Sequence, residues 1–293
     1  MAPRIVTRPR FLVLGANGQL GQRLARRLGE LDLPVEVFAF TSAEIDVRQR
    51  AVVNEVIRSL RPDWIVNAAA FTAVDRCERE PEQAFNVNAL AVRWMVEAAV
   101  ATKARVCNFS TDYVFDGCSQ TPYREWDMVN PLGIYGRSKL GGERELRVGV
   151  DLNIRTAWLM SSSDGNIAST VVRLANEGSP LRFVGDQIGS PTIADDLSEA
   201  AVQLMLSSAS GCFHVVNGGS ASWFEVVRWI LSILGRSLDQ VTEIKAVAVA
   251  DRYPAPRPAY SVMSTSSYSA ATGRTTEDWH DALERVVRDL ERQ

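Results

Sequence analysis

The stretch FLVLGANGQLGQRLARRLG, Phe11–Gly29, decides the fold. Phe11–Leu14 is a short apolar run of the kind a strand buried on both faces requires. Gly15, Gly18 and Gly21 follow it at three-residue spacing. Over residues 18–29 the period changes, and Leu20, Leu24 and Leu28 form one stripe along a helix. A strand that turns through glycines straight into a helix aims backbone N–H groups and the positive end of the helix at one point, which suits a pyrophosphate. Gly21, one turn inside the helix, lets it pack closely on the strand. A glycine triplet alone is a weak signal; the strand–turn–helix context carries the reading.

Outward from this stretch the same rhythm repeats. PVEVFAF (residues 34–40), WIVNAAA (64–70), RVCNFSTDYVF (105–115) and LNIRTAW (152–158) read as strands. Helical patterns near residues 49–59, over one long segment from Pro81 to Lys103, and over 135–146 separate them. This alternation predicts an α/β protein with a Rossmann-type, doubly wound parallel sheet, which binds ligands beyond the carboxyl ends of its strands. After Trp158 the rhythm breaks into a polar loop. QIGSPTIADD then leads into a helix, CFHVVNGG reads as a strand, and a helix starts at a capping serine, Ser222. The expected division is a nucleotide-binding domain over residues 1–158 and a smaller α/β C-terminal substrate lobe over 159–293, interleaved with the first.

Composition narrows the functional classes. The chain has 293 residues, a formal net charge of -3, 46% hydrophobic and 23% charged residues, the profile of a globular protein. Neither nucleic acid nor a membrane surface is an expected partner at that charge. The basic start MAPRIVTRPR is followed by an apolar run too short for a signal segment, and no transmembrane helix is expected. Cys77, Cys107, Cys118 and Cys212 lack paired spacing and read as reduced thiols in a cytoplasmic protein. With only His214 and His280 and no clustered ligands, no metal site is expected.

The end of the second strand reads Phe40-Thr41-Ser42, with no acid there to repel a 2′-phosphate. NADPH is therefore permitted as cofactor, and NADH is permitted too. Arg23 is one candidate partner for such a phosphate. Asp46 and Val47 are placed to flank an adenine, with a helix cap the other reading of Asp46.

Three features converge on chemistry. Ser110, Thr111 and Asp112 close the fourth strand; Tyr135 comes 24 residues after Thr111; Lys139 comes four residues after Tyr135. Residues i and i+4 share a helix face. Reducing a ketone with a hydride makes an alkoxide that needs a proton, and a phenol ordinarily titrates near 10. A lysine cation one turn away would lower that value and could hold the nicotinamide ribose. Thr111 would donate to the carbonyl oxygen and polarise it.

With these residues in place the chain resembles the extended short-chain dehydrogenases/reductases, and within them the dTDP-4-dehydrorhamnose reductase and dTDP-dihydrostreptose synthase group. GANGQLG, RPDWIVNAAAFTAVDRCE, STDYVF, YGRSKLGGE, RTAW, GDQIGSPT and YPAPRP carry the resemblance, from residue 15 to about residue 265. It implies Thr111, Tyr135 and Lys139 as catalytic residues and NADPH-dependent reduction of the C4 ketone of a dTDP-linked 4-keto-6-deoxyhexose. It implies a phosphate loop of Gly15, Asn17, Gly18, Gln19, Leu20 and Gly21, with Ala68, Ala69 and Ala70 beside adenosine and ribose. On the substrate side it implies Thr72, Val74, Asp112, Phe115 and Trp158, then Gln187, Pro191 and Thr192 near the nucleotide and Arg257 for the diphosphate. Phe71 replaces the group's histidine, Ala157 alters its RTSW, and Ala259–Met263 departs from its xNSxL; all three lie near the expected sugar. Some members form magnesium-bridged dimers; Glu284 and Asp289 alone do not specify such a site, and a monomer or homodimer is expected.

Asp75 and Glu78 read as helix-start acids, His214 as a satisfied strand residue, and Trp223 and Trp229 as packing. An epimerase or dehydratase of the same superfamily is an alternative, although Asp112 is followed by Tyr113 and not by the glutamate of a dehydratase. A non-catalytic NADP-binding regulatory subunit is another, but could dispense with the tyrosine–lysine pair.

Overall fold

The structure, a computed structural model, describes residues 8–293; residues 1–7 of the basic amino-terminal stretch, where no signal segment is expected, lie outside the described residues. Strand and helix alternate as β1 (Arg10–Leu14), α1 (Gln19–Gly29), β2 (Glu36–Phe40), α2 (Arg50–Leu60), β3 (Trp64–Asn67), α3 (Val74–Arg79), α4 (Pro81–Phe85), α5 (Ala91–Thr102), β4 (Arg105–Thr111), α6 (Ile134–Glu145) and β5 (Leu152–Thr156). The later elements are β6 (Leu159–Met160), α7 (Ile167–Asn176), β7 (Leu181–Val184), β8 (Ile188–Gly189), β9 (Thr192–Ile193), α8 (Ala194–Leu206), β10 (Gly211–His214), β11 (Ala221–Ser222), α9 (Trp223–Ile233), β12 (Val241–Ile244), α10 (Ser266–Thr272) and α11 (Trp279–Glu291).

The main sheet runs β10-β5-β4-β3-β1-β2, and every pair in it is parallel. Strand β1 has β2 on one side and β3 on the other, so successive crossovers diverge there and open the crevice where such sheets hold ligands. Side-chain alternation gives each face its own core. Phe11, Val13, Trp64, Val66 and Phe109 pack with Leu20, Leu24 and Leu28 of α1 and Leu197, Ala201 and Leu204 of α8. Leu12, Leu14, Ile65 and Val106 pack with Val53 and Ile57 of α2 and Met95, Ala98 and Ala99 of α5. A side chain such as Leu24, wholly buried, contributes roughly 1.5–3 kcal/mol over leaving it exposed. Register is also marked by a buried amide ladder: Asn67 donates to Asn108 (2.9 Å), and Asn108 donates to Asn153 (3.1 Å), across β3, β4 and β5.

Three local expectations change. Ala68–Ala70 leave the strand, because β3 ends at Asn67. The long helix from Pro81 is interrupted by a π-helical turn, Asn86–Leu90, between α4 and α5. One extra residue per turn there rotates Asn88 into the protein, where it is 2% exposed. Strand β5 stops at Thr156, and Trp158 takes φ 46°, a left-handed backbone.

The rest of the chain builds a second core from α7, α9 and α11 around Met160, Leu181, Ile230 and Leu283. Ser222 caps α9 in a reciprocal box with Glu225. Helix α8 and strand β10 return to the main sheet, against α1 and beside β5. We propose on this ground that, among the described residues, the nucleotide lobe is residues 8–158 with α8 and β10 added, and that the remaining elements form the substrate lobe. No helix among the described residues is long and apolar enough to cross a membrane.

Candidate active site

Two neighbouring cavities open at the carboxyl ends of the central strands and share Gly18, Ala68 and Ala70. The first, about 510 Å³, lies at the β1–β2 end and the second, about 410 Å³, at the β4–α6 end.

The glycine turn shapes the first. Gly15 has φ +82°, and a Cβ there would come within 2.7 Å of the Ala69 nitrogen. At Gly21 a Cβ would lie 2.1 Å from the Gly15 carbonyl, so helix α1 can seat only without it. Gly15 and Ala16 both donate to the Phe40 carbonyl, at 3.0 and 2.9 Å, which ties the turn to β2. Asn17, Asp46, Val47 and Ala69 line this cavity with Ser42 and Arg48. Asp46 accepts from the Arg48 backbone (3.0 Å) and guanidinium (2.7 Å), so it turns the loop and also faces the cavity. The Arg48 ion pair and hydrogen bonds hold the Asp46 carboxyl below the usual range.

Glu44 folds back on the end of β2, accepting from Thr41 N and Oγ1, both at 2.8 Å, but is not among the residues that line this cavity. One expectation about charge here is corrected. Arg23 does not face this cavity; it is buried against Ser163 Oγ (2.6 Å) and Asp195 (3.6 Å). Arg48 is the cavity's arginine.

The second cavity is lined by Thr111 at the end of β4, by Tyr135 and Lys139 on α6, and by Leu20, Thr72, Val74, Asp112, Tyr113 and Trp158. Two glycines let α6 reach it. A Cβ on Gly136 would stand 2.1 Å from the Tyr113 carbonyl, and one on Gly142 would stand 2.2 Å from the Asn88 carbonyl. The helix start has no side-chain cap of its own. Glu78, read from sequence as a helix-start acid, lies near the end of α3; it accepts from Ile134 N at 2.7 Å and so places a carboxylate at the positive end of α6. Asn88 on the π turn donates to Ser138 Oγ (2.9 Å) and to the Phe71 carbonyl (3.0 Å) and accepts from Phe71 N (2.9 Å). One amide thus ties α6 to the strip after β3.

The charges differ from expectation. Burial pushes the Lys139 ammonium down to about 8, with Glu143 pulling the other way. Burial also raises the Tyr135 phenol above its ordinary value; a hydrogen bond with Thr111 opposes this, and the Asp112 charge adds to it. The net direction at Tyr135 is therefore upward, opposite to the lowering anticipated from Lys139, because desolvation dominates. Thr111 Oγ1 donates to Asp112 Oδ1 (3.0 Å) and accepts from Tyr113 N (3.2 Å). Ser261 Oγ donates to the other carboxylate oxygen at 2.6 Å. Burial nonetheless raises Asp112 to about 6.

Other candidates fall elsewhere. Phe115 is wholly buried, stacked on Tyr123 with ring centres 4.1 Å apart, and is core, not a cavity wall. Gln187 precedes β8, and neither it nor Arg257 lines either cavity. Thr192 lines a separate cavity of about 180 Å³ beside α8 and α10. Arg257 pairs with Asp75 at 2.7 Å and donates to the Ala255 carbonyl at 2.9 Å, binding the proline-rich segment to α3. His214 is buried in β10, with Nδ1 3.2 Å from the Tyr123 carbonyl, and burial holds it near 4. Glu284 pairs with Arg288 and Asp289 with Arg292. No group of three or more His, Cys, Asp or Glu side chains could hold a metal among the described residues. Sequence reasoning missed Asn88, Tyr113 and Arg48 around the site, and placed Ser261 near the sugar without its bond to Asp112. A polar residue on the apolar stripe of a long helix was the available signal for Asn88; the others had none beyond neighbouring motif residues.

The residues present fit a dinucleotide. Gly15 and Gly21 have no room for side chains, and the hydroxyls of Ser110 and Thr156, both on the second cavity, are buried without a hydrogen-bond partner among the described residues. Comparison with known proteins agrees with this geometry. Residues 9–292 match the RmlD substrate binding domain. The chain is 37% identical to the spore coat polysaccharide biosynthesis protein SpsK of Bacillus subtilis, covering 96% of this chain and 97% of that protein. It is 34% identical to dTDP-4-dehydrorhamnose reductase of Aggregatibacter actinomycetemcomitans, covering 94% and 98%. Among solved structures, dTDP-4-dehydrorhamnose reductase of Bacillus anthracis in complex with NADP superposes with a TM-score of 0.90 at 32% identity, covering 97% of this chain and 100% of that one. The chain belongs to the family of the RmlD substrate binding domain, together with these dTDP-4-dehydrorhamnose reductases.

Proposed function

We propose that this protein is an NADPH-dependent oxidoreductase that reduces the C4 ketone of a dTDP-linked 4-keto-6-deoxyhexose. The observation that carries the reading is the meeting of Thr111, Tyr135 and Lys139 on one cavity that adjoins the glycine cradle. The relatives' names supply the substrate class, and Ser42 and Arg48 at the adenosine end suit a 2′-phosphate.

When bound, NADPH supplies the hydride. The cradle of Gly15, Gly18 and the start of α1 would hold its pyrophosphate, and Lys139 its nicotinamide ribose. A phenol raised above its ordinary value keeps its proton at neutral pH, so Tyr135 is poised as a donor to the oxygen that was the C4 carbonyl. Lys139, near 8, is mostly cationic at pH 7 and sits to stabilise the phenolate that the transfer leaves. Thr111 hydrogen-bonds the same oxygen by turning its proton from Asp112. The sugar loses its ketone and gains one hydride and one proton.

Purified protein is expected to oxidise NADPH only when a nucleotide-linked 4-ketosugar is added, fastest with the dTDP form among dTDP-, CDP- and UDP-linked sugars. NADPH binding with no turnover across that panel would overturn the reading. C4 epimerisation without net NADPH loss would replace it with an epimerase.

A further inference from the structure

Trp158 takes a left-handed backbone, φ 46°, that a bulky residue adopts only where its surroundings force it. The forcing elements are identifiable. Its indole lies flat on Trp223, with ring centres 3.8 Å apart and planes within 6°. Gly189 closes on the same ring, since a Cβ there would come within 2.5 Å of Trp158 Cε2. Strands β8 and β11 pair antiparallel, with Gly189 opposite Ala221 and Ile188 opposite Ser222, so the two neighbours of Trp158 belong to one ribbon. The Ser222–Glu225 capping box then fixes Trp223 as the first residue of α9. Trp158 lines the reaction cavity; Trp223 does not.

We infer that Trp223 is a positioning residue, whose stacked indole holds Trp158 in its left-handed turn as the sugar-side wall of the cavity and so sets affinity for the sugar half of the substrate. This rests on the reductase reading. Trp223 also packs on the second core but reaches the cavity only through Trp158, so its effect on the substrate must vanish when Trp158 is changed.

The experiment compares Trp223→Leu, Trp223→Phe, Trp158→Phe and the Trp158→Phe/Trp223→Leu double variant. Two stacked indoles give an exciton couplet in the circular dichroism spectrum, which Trp223→Leu and Trp158→Phe should each abolish. Trp223→Leu should raise KM for the nucleotide ketosugar about three- to tenfold, the worth of an aromatic pair, with KM for NADPH and kcat nearly unchanged. Trp223→Phe should recover most of that loss, and the double variant should be no worse than the worse single. A couplet that survives Trp223→Leu, an unchanged sugar KM, or losses that multiply in the double variant would overturn the inference. If the unaltered protein turns over no nucleotide sugar, the reductase reading fails and takes the substrate role with it, while the couplet still reports whether the indoles stack.

Discussion

At the scale of single residues, the centre sets a buried lysine against a half-buried tyrosine. Tyr135 is raised and Lys139 lowered by the same desolvation. Tyr135→Phe should reduce kcat about 10²–10⁴-fold, the range for loss of a general acid, while fluorescence titration finds NADPH affinity little changed. Lys139 carries a linked prediction. Its folded value, about 8, lies below the 10.5 of an exposed lysine, so between those values the unfolded chain binds more protons and stability rises with pH. Below pH 8 the full cost of the buried cation remains, on the order of 3 kcal/mol. Lys139→Met should therefore be inactive yet more stable than the parent at pH 7. That advantage should shrink as pH rises from 8 to 10.5, as followed by urea unfolding. In the parent, kcat/KM should fall as pH rises through about 8. The four-residue spacing made this pair legible in the sequence; their desolvation, which reverses the expected direction for Tyr135, was not, because it depends on α3, β4 and the π turn packed around α6.

At the scale of elements, helix α6 is seated by what it lacks. Gly142→Ala sets a methyl group against the Asn88 carbonyl and should cost about 1–3 kcal/mol of stability, with a loss of kcat because Lys139 shifts with the helix. Glu78→Ala removes the acceptor at the start of α6 and should cost about 0.5–2 kcal/mol by denaturant midpoint. Helix α6 itself could be read from YGRSKLGGE, but Glu78 is 56 residues from the N–H it accepts, and no local pattern records that. The π turn was hidden for a different reason: inserting one residue into an amphipathic helix leaves the apolar stripe legible on both sides.

At the scale of the whole molecule, strand–helix alternation made the parallel sheet readable up to Trp158. Beyond it, the return of α8 and β10 to the main sheet, and the bond from Ser261 to Asp112 across 149 residues, depend on tertiary packing with no sequence period. Because the cofactor cradle belongs to the folded chain alone, NADPH at about a hundred times its Kd should raise unfolding free energy by about 2.7 kcal/mol, measurable as a shift in denaturant midpoint at constant slope. The central claim, that hydride passes from the nicotinamide to the sugar's C4, is tested most directly with NADPH deuterated at the transferring position of the nicotinamide. The account predicts one deuterium at C4 of the product deoxysugar by NMR, one NADPH consumed per sugar, and neither in Tyr135→Phe beyond trace turnover. Product formed without deuterium at C4, or without consumption of NADPH, would contradict it.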